Sequence, residues 1–175
     1  MLDDDHKWFA VNLRISGDTL DPTQLESLLG LKPDILGIMG QPRMGKHGRQ
    51  YAPYETNLWC YREASSSEIG FDQQIQSLFA RLGHRVSELQ RLSATEGVDA
   101  ELFCGFGSGN GQGGDTLRPE TLKLLGDAGL SLTLDLYPPT IDTDVDFVWS
   151  KAIESNTAQA EDGGASPAIS YVRPE

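Results

Sequence analysis

The chain has 175 residues, enough for one domain with its own core, and its 14 Lys and Arg against 26 Asp and Glu give a formal net charge of -12. Such a charge repels phosphate backbones and anionic membranes, so nucleic acid and membranes are excluded as expected partners, whereas a basic protein would be attracted. The acidic start MLDDDHKW is unlike a signal peptide, and no apolar run reaches the ~18 residues of a membrane span, so we expect a cytoplasmic protein.

The first predicted element is a strand over residues 8–16, in which Phe9, Val11, Leu13 and Ile15 alternate with other residues. A short helix follows. We expect Asp21 to cap it, Pro22 to be its first residue and Gly30 to end it.

The next segment, 32–55, is rich in Gly and Pro and has no period, which predicts a long loop. This loop is locally basic and contains Arg43, Lys46 and Arg49. A short aromatic strand is predicted over 58–63, and either of its faces could belong to the core.

Helical spacing predicts a longer joining helix over 71–92, which Gly83 kinks or splits and which links two similar halves of the chain. The second half begins with a strand that alternation predicts over 98–104. A glycine loop at 105–114 leads to a helix that starts at Pro119 and ends at Gly129. The last strand, 130–137, is predicted with Leu130, Leu132, Leu134 and Leu136 facing inward. We expect a single domain over 1–139 and an acidic, partly flexible extension over 140–175.

Two copies of one motif, GDTLDPTQL at 17–25 and GDTLRPETL at 114–122, introduce the two short helices. The alternative is a chance match, because turns before helices reuse the same few residues. We expect Asp18 and Asp115 to shape these turns rather than to carry chemistry. The repeat predicts an α+β fold. Within this class we expect a ferredoxin-like two-layer sandwich of about four mostly antiparallel strands with helices on one face, built from two similar strand-helix-strand halves.

One face of the predicted sheet is polar and aromatic and is the candidate binding surface. Its residues are Asn12, Arg14, Glu101, Phe103, Thr133, Asp135 and Tyr137, and the loop residues Arg43, Lys46 and Arg49 are added as candidate contacts. The same face could instead be solvated, or covered by the C-terminal extension or by a second subunit.

No motif indicates catalysis, a metal or a cofactor. The histidines His6, His47 and His84 lie in different elements without ligand spacing. The glycine run matches a dinucleotide-binding pattern only when counted from Gly109, and three residues then separate it from the helix. Cys60 and Cys104 lie in apolar stretches, have no paired base in the sequence and are expected to be buried free thiols.

Four parts of the chain, spread over roughly residues 8–138, resemble the domain of unknown function 4279 family. They are the segment FAVNLRISGDTLDPTQLESLLGLKPD, the joining helix, the FGSGNGQGG loop and the GLSLTLDLY ending. The resemblance implies a bacterial α+β domain. Members are often small proteins encoded near secreted toxins, which suggests immunity proteins, and the resemblance brings no catalytic residues.

The leading hypothesis is therefore a protein-binding module that neutralises a partner toxin. The second is a small-molecule binding protein or enzyme that uses Arg14, Glu101, Asp135 and Arg43 as contacts. A third is a homodimer that closes sheet on sheet.

Overall fold

The structure is a computed structural model that describes residues 7–45, 48–109 and 112–137. The elements of the described residues are, in chain order, β1 (Lys7–Gly17), α1 (Leu25–Leu29), β2 (Ile35–Gly37), β3 (Pro42–Met44), β4 (Gln50–Pro53), β5 (Asn57–Arg62), α2 (Phe71–Leu82), a 3₁₀ turn (Gly83–Arg85), α3 (Val86–Ser93), β6 (Asp99–Ser108), α4 (Pro119–Ala128) and β7 (Ser131–Tyr137).

Five of these strands form one mixed sheet in the order β2-β5-β1-β6-β7, and β3 pairs with β4 in a separate two-stranded sheet. In the main sheet β1 is antiparallel to both β5 and β6, β2 is antiparallel to β5, and β6 and β7 are parallel. The α+β class predicted from the sequence is confirmed.

The core lies between one face of this sheet and the helices. Phe9, Val11, Leu13 and Ile15 of β1 all point into it, as the alternation predicts, and α2 contributes apolar residues along one stripe. Trp59 of β5 is fully buried in the same core, which decides the facing of that strand. Each fully buried side chain of this size contributes about 1.5–3 kcal/mol to folding.

The two predicted glycine stops are confirmed. Gly30 and Gly129 both adopt the left-handed conformation with φ 68°, and the leucine after each, Leu31 and Leu130, is buried. The start of α1 differs from the prediction, because the helix begins at Leu25 rather than at Pro22. The Asp21 carboxylate accepts hydrogen bonds from the Thr23 N–H and the Gln24 side chain, and these bonds close a separate turn ahead of the helix.

The segment predicted as a loop contains three short strands, β2, β3 and β4. Of these, β2 joins the main sheet, which therefore has five strands rather than the predicted four. Sequence patterns miss strands of three or four residues because one alternation is too short to stand out. The strand predicted over 98–104 continues to Ser108, and the helix predicted over 71–92 is split by the 3₁₀ turn at Gly83.

The ferredoxin-like arrangement and the two similar halves are not confirmed. A split strand-helix-strand unit places another strand between its two strands. Here β1 and β5 are direct neighbours and antiparallel, whereas β6 and β7 are direct neighbours and parallel. The helix after the first motif copy therefore lies between two strands that pair antiparallel, β1 and β5, whereas the helix after the second copy connects two strands that pair parallel, β6 and β7.

The leucines of the predicted last strand lie on the predicted side of the sheet, but three of the four are not buried. Leu130 is buried, but Leu132, Leu134 and Leu136 are 37%, 55% and 67% exposed. The register with β6 does place these three on the core-facing side, opposite Leu102, Cys104 and Phe106. They remain exposed because α2 and α3 pack against β1 and β6, while β7 lies at the edge of the described sheet.

Candidate functional site

The strand register brings the seven predicted sheet residues together in cross-strand rows. Arg14 lies opposite Glu101, and Asn12 lies opposite Phe103, which in turn lies opposite Thr133. The polar sheet face is the surface made by Asn12, Arg14, Glu101, Phe103, Thr133, Asp135 and Tyr137 together with Trp8. These residues come from β1, β6 and β7.

Arg14 links the residues at one end of this face. Its guanidinium carbon lies 3.5 Å from the centroid of the Phe103 ring, and its Nη1 lies 3.6 Å from Glu101 Oε1. The Thr133 hydroxyl donates a 2.6 Å hydrogen bond to the other carboxylate oxygen of Glu101. The three strands thus share one charged cluster whose carboxylate has partners on both sides, and the cation–π contact adds about 1 kcal/mol.

Two of the predicted contact residues are not available on the surface. Asn12 and Phe103 are each only 4% exposed. Phe103 is covered by the Arg14 guanidinium, and the Asn12 side-chain amide donates a 3.3 Å hydrogen bond to the Phe103 carbonyl. Both residues therefore support the face from beneath, and the half-buried Arg14, Glu101, Thr133, Asp135 and Tyr137 form its outer surface.

The other end of the face is aromatic. The rings of Trp8 and Tyr137 lie 5.1 Å apart between centroids, with their planes inclined at 48°, and the Tyr137 hydroxyl donates a hydrogen bond to the Asp135 carboxylate. Burial and this hydrogen bond raise the pKa of Tyr137. Sequence analysis did not select Trp8, although the alternation of β1 places it on the same side as Asn12 and Arg14.

Two glycines of β6 explain how the Trp8 ring lies on the sheet. A Cβ atom on Gly107 would lie 2.4 Å from Trp8 Nε1, and one on Gly105 would lie 3.1 Å from the far edge of the same ring. Gly107 also stands between Trp8 and Tyr137 in the register, so the two rings meet above it. The sequence pattern assigned both glycines to a loop, whereas they are strand residues that leave room for the indole.

Replacing Gly107 with Ala is expected to lower the free energy of unfolding by about 1–3 kcal/mol, because the new methyl group forces the Trp8 ring off the sheet. The matched control is Gly105→Ala, which requires a shift of only a few tenths of an ångström and is expected to stay within about 0.5 kcal/mol of the unmodified protein. Urea unfolding followed by circular dichroism measures both. Equal losses in the two variants would contradict this account of the indole site.

The basic residues of the predicted loop form a second, separate group. Arg43 Nε donates a 2.8 Å hydrogen bond to the Ala52 carbonyl, and the Arg49 guanidinium lies 5.0 Å from the centroid of the Tyr51 ring. Both contacts lie within the β3–β4 hairpin rather than on the polar sheet face. Lys46 lies outside the described residues.

Cys60 and Cys104 are free and buried, as expected. Cys60 pairs with Arg14 in the register and so lies on the polar side of the sheet, whereas Cys104 pairs with Val11 on the core side. Burial raises the pKa of the Cys60 thiol and raises that of Cys104 to about 12. Thiols with such raised pKa values are protonated near neutral pH and are poor nucleophiles.

Two clefts of the described surface lie away from the polar sheet face. One, of about 560 Å³, is lined by Gln76, Phe79 and Arg118 among others, and one of about 590 Å³ is lined by residues of the α1 region and Arg85. Within residues 7–45, 48–109 and 112–137, no three His, Cys, Asp or Glu residues are grouped closely enough to hold a metal ion. None of the helices in that part of the chain combines the length and apolar character of a membrane span.

The profile of the domain of unknown function DUF4279 matches residues 6–139. The chain belongs to the DUF4279 family. This confirms the resemblance stated from the sequence, and the matched region of this DUF4279 protein contains every described element from β1 to β7. No curated protein and no solved structure matches the chain. The extension predicted over 140–175 lies outside the described residues, so its boundary stays a prediction.

Proposed function

We propose that this DUF4279 protein is a protein-binding module of the immunity type, which acts in the bacterial cytoplasm by binding and neutralising a basic toxin. The observation that carries the proposal is the chemistry of the polar sheet face. Two neighbouring rings, Trp8 and Tyr137, stand beside the carboxylate of Asp135, with the Glu101 carboxylate on the same face. Rings next to carboxylates suit the Arg and Lys side chains of a basic partner.

Charge supports the same kind of partner. The chain carries a formal net charge of -12, which accelerates its encounter with a basic protein and opposes binding to other acidic molecules. Such acceleration matters for an inhibitor, because a toxin has to be captured before it reaches its target.

The arrangement of the face favours recognition over catalysis. Glu101 is held between Arg14 and Thr133, and Asp135 is held by Tyr137, so each carboxylate already has a partner. The small-molecule hypothesis included Arg43 as a contact beside these groups, but Arg43 is bound within the β3–β4 hairpin. The clefts beside α4 and beside α1 are lined by none of these residues.

The proposal is tested by capturing the partner from the native bacterium with the tagged full chain, and then titrating the recovered protein by calorimetry. We expect a basic protein that binds with a 1:1 ratio per chain, that loses its activity on binding and whose affinity falls as salt is raised. Recovery of a metabolite with no protein partner would reject the proposal.

A pair of variants then locates the contact. Asp135→Lys reverses the charge beside the two rings and is expected to weaken partner binding at least tenfold. The matched control is Glu96→Lys, which makes the same charge change at an exposed residue outside the described helices and strands and is expected to weaken binding less than threefold. Equal weakening by both variants would mean that only the overall charge matters and that the polar sheet face is not the contact.

A further inference from the structure

The two edges of the described five-stranded sheet differ. At one edge, β2 has only three residues, and such short strands protect a sheet from pairing with another chain. At the other edge, β7 has seven residues in unbroken register with β6, and contains no proline. A long, regular edge strand with one apolar side is the kind that natural proteins protect unless it is paired.

Strand β7 is also apolar on the side where the helices leave it uncovered. Leu132, Leu134 and Leu136 alternate along this side with exposures that rise toward the end of the strand. We propose that β7 pairs antiparallel with β7 of a second copy of the chain, with the two-fold axis at Leu134. The pairing would join two five-stranded sheets edge to edge and cover the leucines of both copies.

The sequence of β7 suits pairing with itself. An axis at Leu134 places Leu132 opposite Leu136, Thr133 opposite Asp135, and Ser131 opposite Tyr137, so all seven residues are paired and each leucine meets a leucine. No two like charges face each other in this register. An axis at Asp135 would instead oppose two carboxylates, which is destabilising, and an axis between two residues would place the leucines of one copy against the polar side of the other.

A second copy fits this edge better than the basic partner does. The leucine side of β7 presents no charge to a basic protein, and Asp135 points to the polar sheet face. Stable interfaces bury about 800 Å² per partner, and a pair of seven-residue strands with three leucines each provides less, so we expect a dissociation constant in the micromolar range. Because both copies carry a net charge of -12, added salt should tighten the dimer, which is opposite to its effect on binding of a basic partner.

The test is sedimentation velocity of the full chain between about 1 and 200 µM, at low and high salt. We expect a monomer–dimer equilibrium that shifts toward dimer at high salt. Leu134→Lys places two positive charges together at the axis and is expected to weaken the dimer at least tenfold. The matched control, Leu36→Lys, changes an exposed leucine on β2 at the opposite edge and is expected to leave the dimer unchanged, with circular dichroism showing that both variants fold.

A covalent trap supplies a second readout. Opposite residues of an antiparallel pair have their Cβ atoms about 4.5–5.5 Å apart, and a disulfide needs about 3.5–4.5 Å. A small shift of two exposed edge strands closes this difference, so Leu134→Cys is expected to form a disulfide-linked dimer under mild oxidation, and Leu36→Cys is not. The buried native thiols do not compete. A chain that is monomeric at every concentration overturns the proposal, as does a dimer that Leu134→Lys leaves intact and Leu134→Cys does not trap.

Discussion

Replacing Gly17 with Ala is expected to lower the free energy of unfolding by about 3 kcal/mol. Gly17 is the first residue of the first GDTL copy and the last residue of β1. A Cβ atom at this position would lie 2.4 Å from the Gly97 carbonyl oxygen and 3.3 Å from Val98 Cα. Both are backbone atoms of the turn that leads into β6, so the clash is relieved only by moving β1 away from its neighbour.

The matched control is Gly114→Ala at the same position of the second GDTL copy. A Cβ atom on Gly114 meets no heavy atom within 4 Å, and its φ is not in the left-handed region. This variant is expected to be neutral or to gain up to about 1 kcal/mol, because Ala restricts the unfolded chain. Urea unfolding at neutral pH compares the two. A loss in Gly17→Ala no larger than in Gly114→Ala would show that the contact with Gly97 relaxes without cost.

Replacing Asp72 with Ala is expected to lower the free energy of unfolding by about 2–4 kcal/mol, because two helices cap each other through carboxylates. The largely buried Asp72 carboxylate in the first turn of α2 accepts a 2.9 Å hydrogen bond from the Arg118 N–H at the start of α4. The Gln76 amide and the Thr121 hydroxyl also donate to it. In return, Asp115 accepts a 3.2 Å hydrogen bond from the Asp72 N–H. Removing the Asp72 carboxylate leaves three donors without this acceptor.

The control for this variant is Asp18→Ala, the aspartate of the first GDTL copy. Asp18 is exposed, and its backbone carbonyl, which Ala retains, accepts a hydrogen bond from the Asn57 side chain, so the expected loss is below about 0.5 kcal/mol. Asp115→Ala is expected to cost about 1 kcal/mol, since it removes one side of the mutual cap. Losses of similar size in Asp18→Ala and Asp72→Ala would contradict the assignment.

The same carboxylate makes stability depend on pH. The hydrogen bond from Thr121, followed by that from the Arg118 N–H, lowers the pKa of Asp72 below the ordinary value of an aspartate. The stabilisation is therefore complete above the unfolded-state pKa and is lost as pH falls through the lower folded-state pKa. The difference in stability between the unmodified protein and Asp72→Asn should be constant near neutral pH and shrink in the acid range.

The contacts at the two GDTL copies distinguish what the repeated motif predicted from what it did not. The Gly-Leu stops at 30–31 and 129–130 were predictable because a left-handed glycine followed by a buried leucine is a local pattern. Asp115 accepts the expected hydrogen bond from the Thr116 N–H in its own turn, but its contact with Asp72 was not predictable, because Asp72 is 43 residues away in the first turn of α2. Identical residues thus have different roles in the two copies, since their neighbours are set by tertiary packing.

For the strands, too, the sequence predicted some features and missed others. Alternation correctly placed the apolar residues of β1 in the core, and on β7 it correctly separated leucines from polar residues. It could not show that the helices stop short of β7, since coverage depends on where each helix lies over the sheet. For the same reason it presented Phe103 as a surface residue, whereas the guanidinium of Arg14 on the adjacent strand buries it.

The central position of β1 has a consequence for the newly made chain. Asn12 and Phe103, which are hydrogen-bonded across the β1–β6 pair, are 91 positions apart in the sequence. At typical rates of translation, roughly 5–20 seconds separate the synthesis of the two residues. Until β6 is made, β5 is the only native neighbour that β1 can reach, and β5 itself appears about halfway through the interval. One long edge of β1 and much of its apolar side therefore lack their native cover. Strand β1, at the centre of the finished sheet, is therefore the strand that is open to incorrect pairing for the longest time during synthesis.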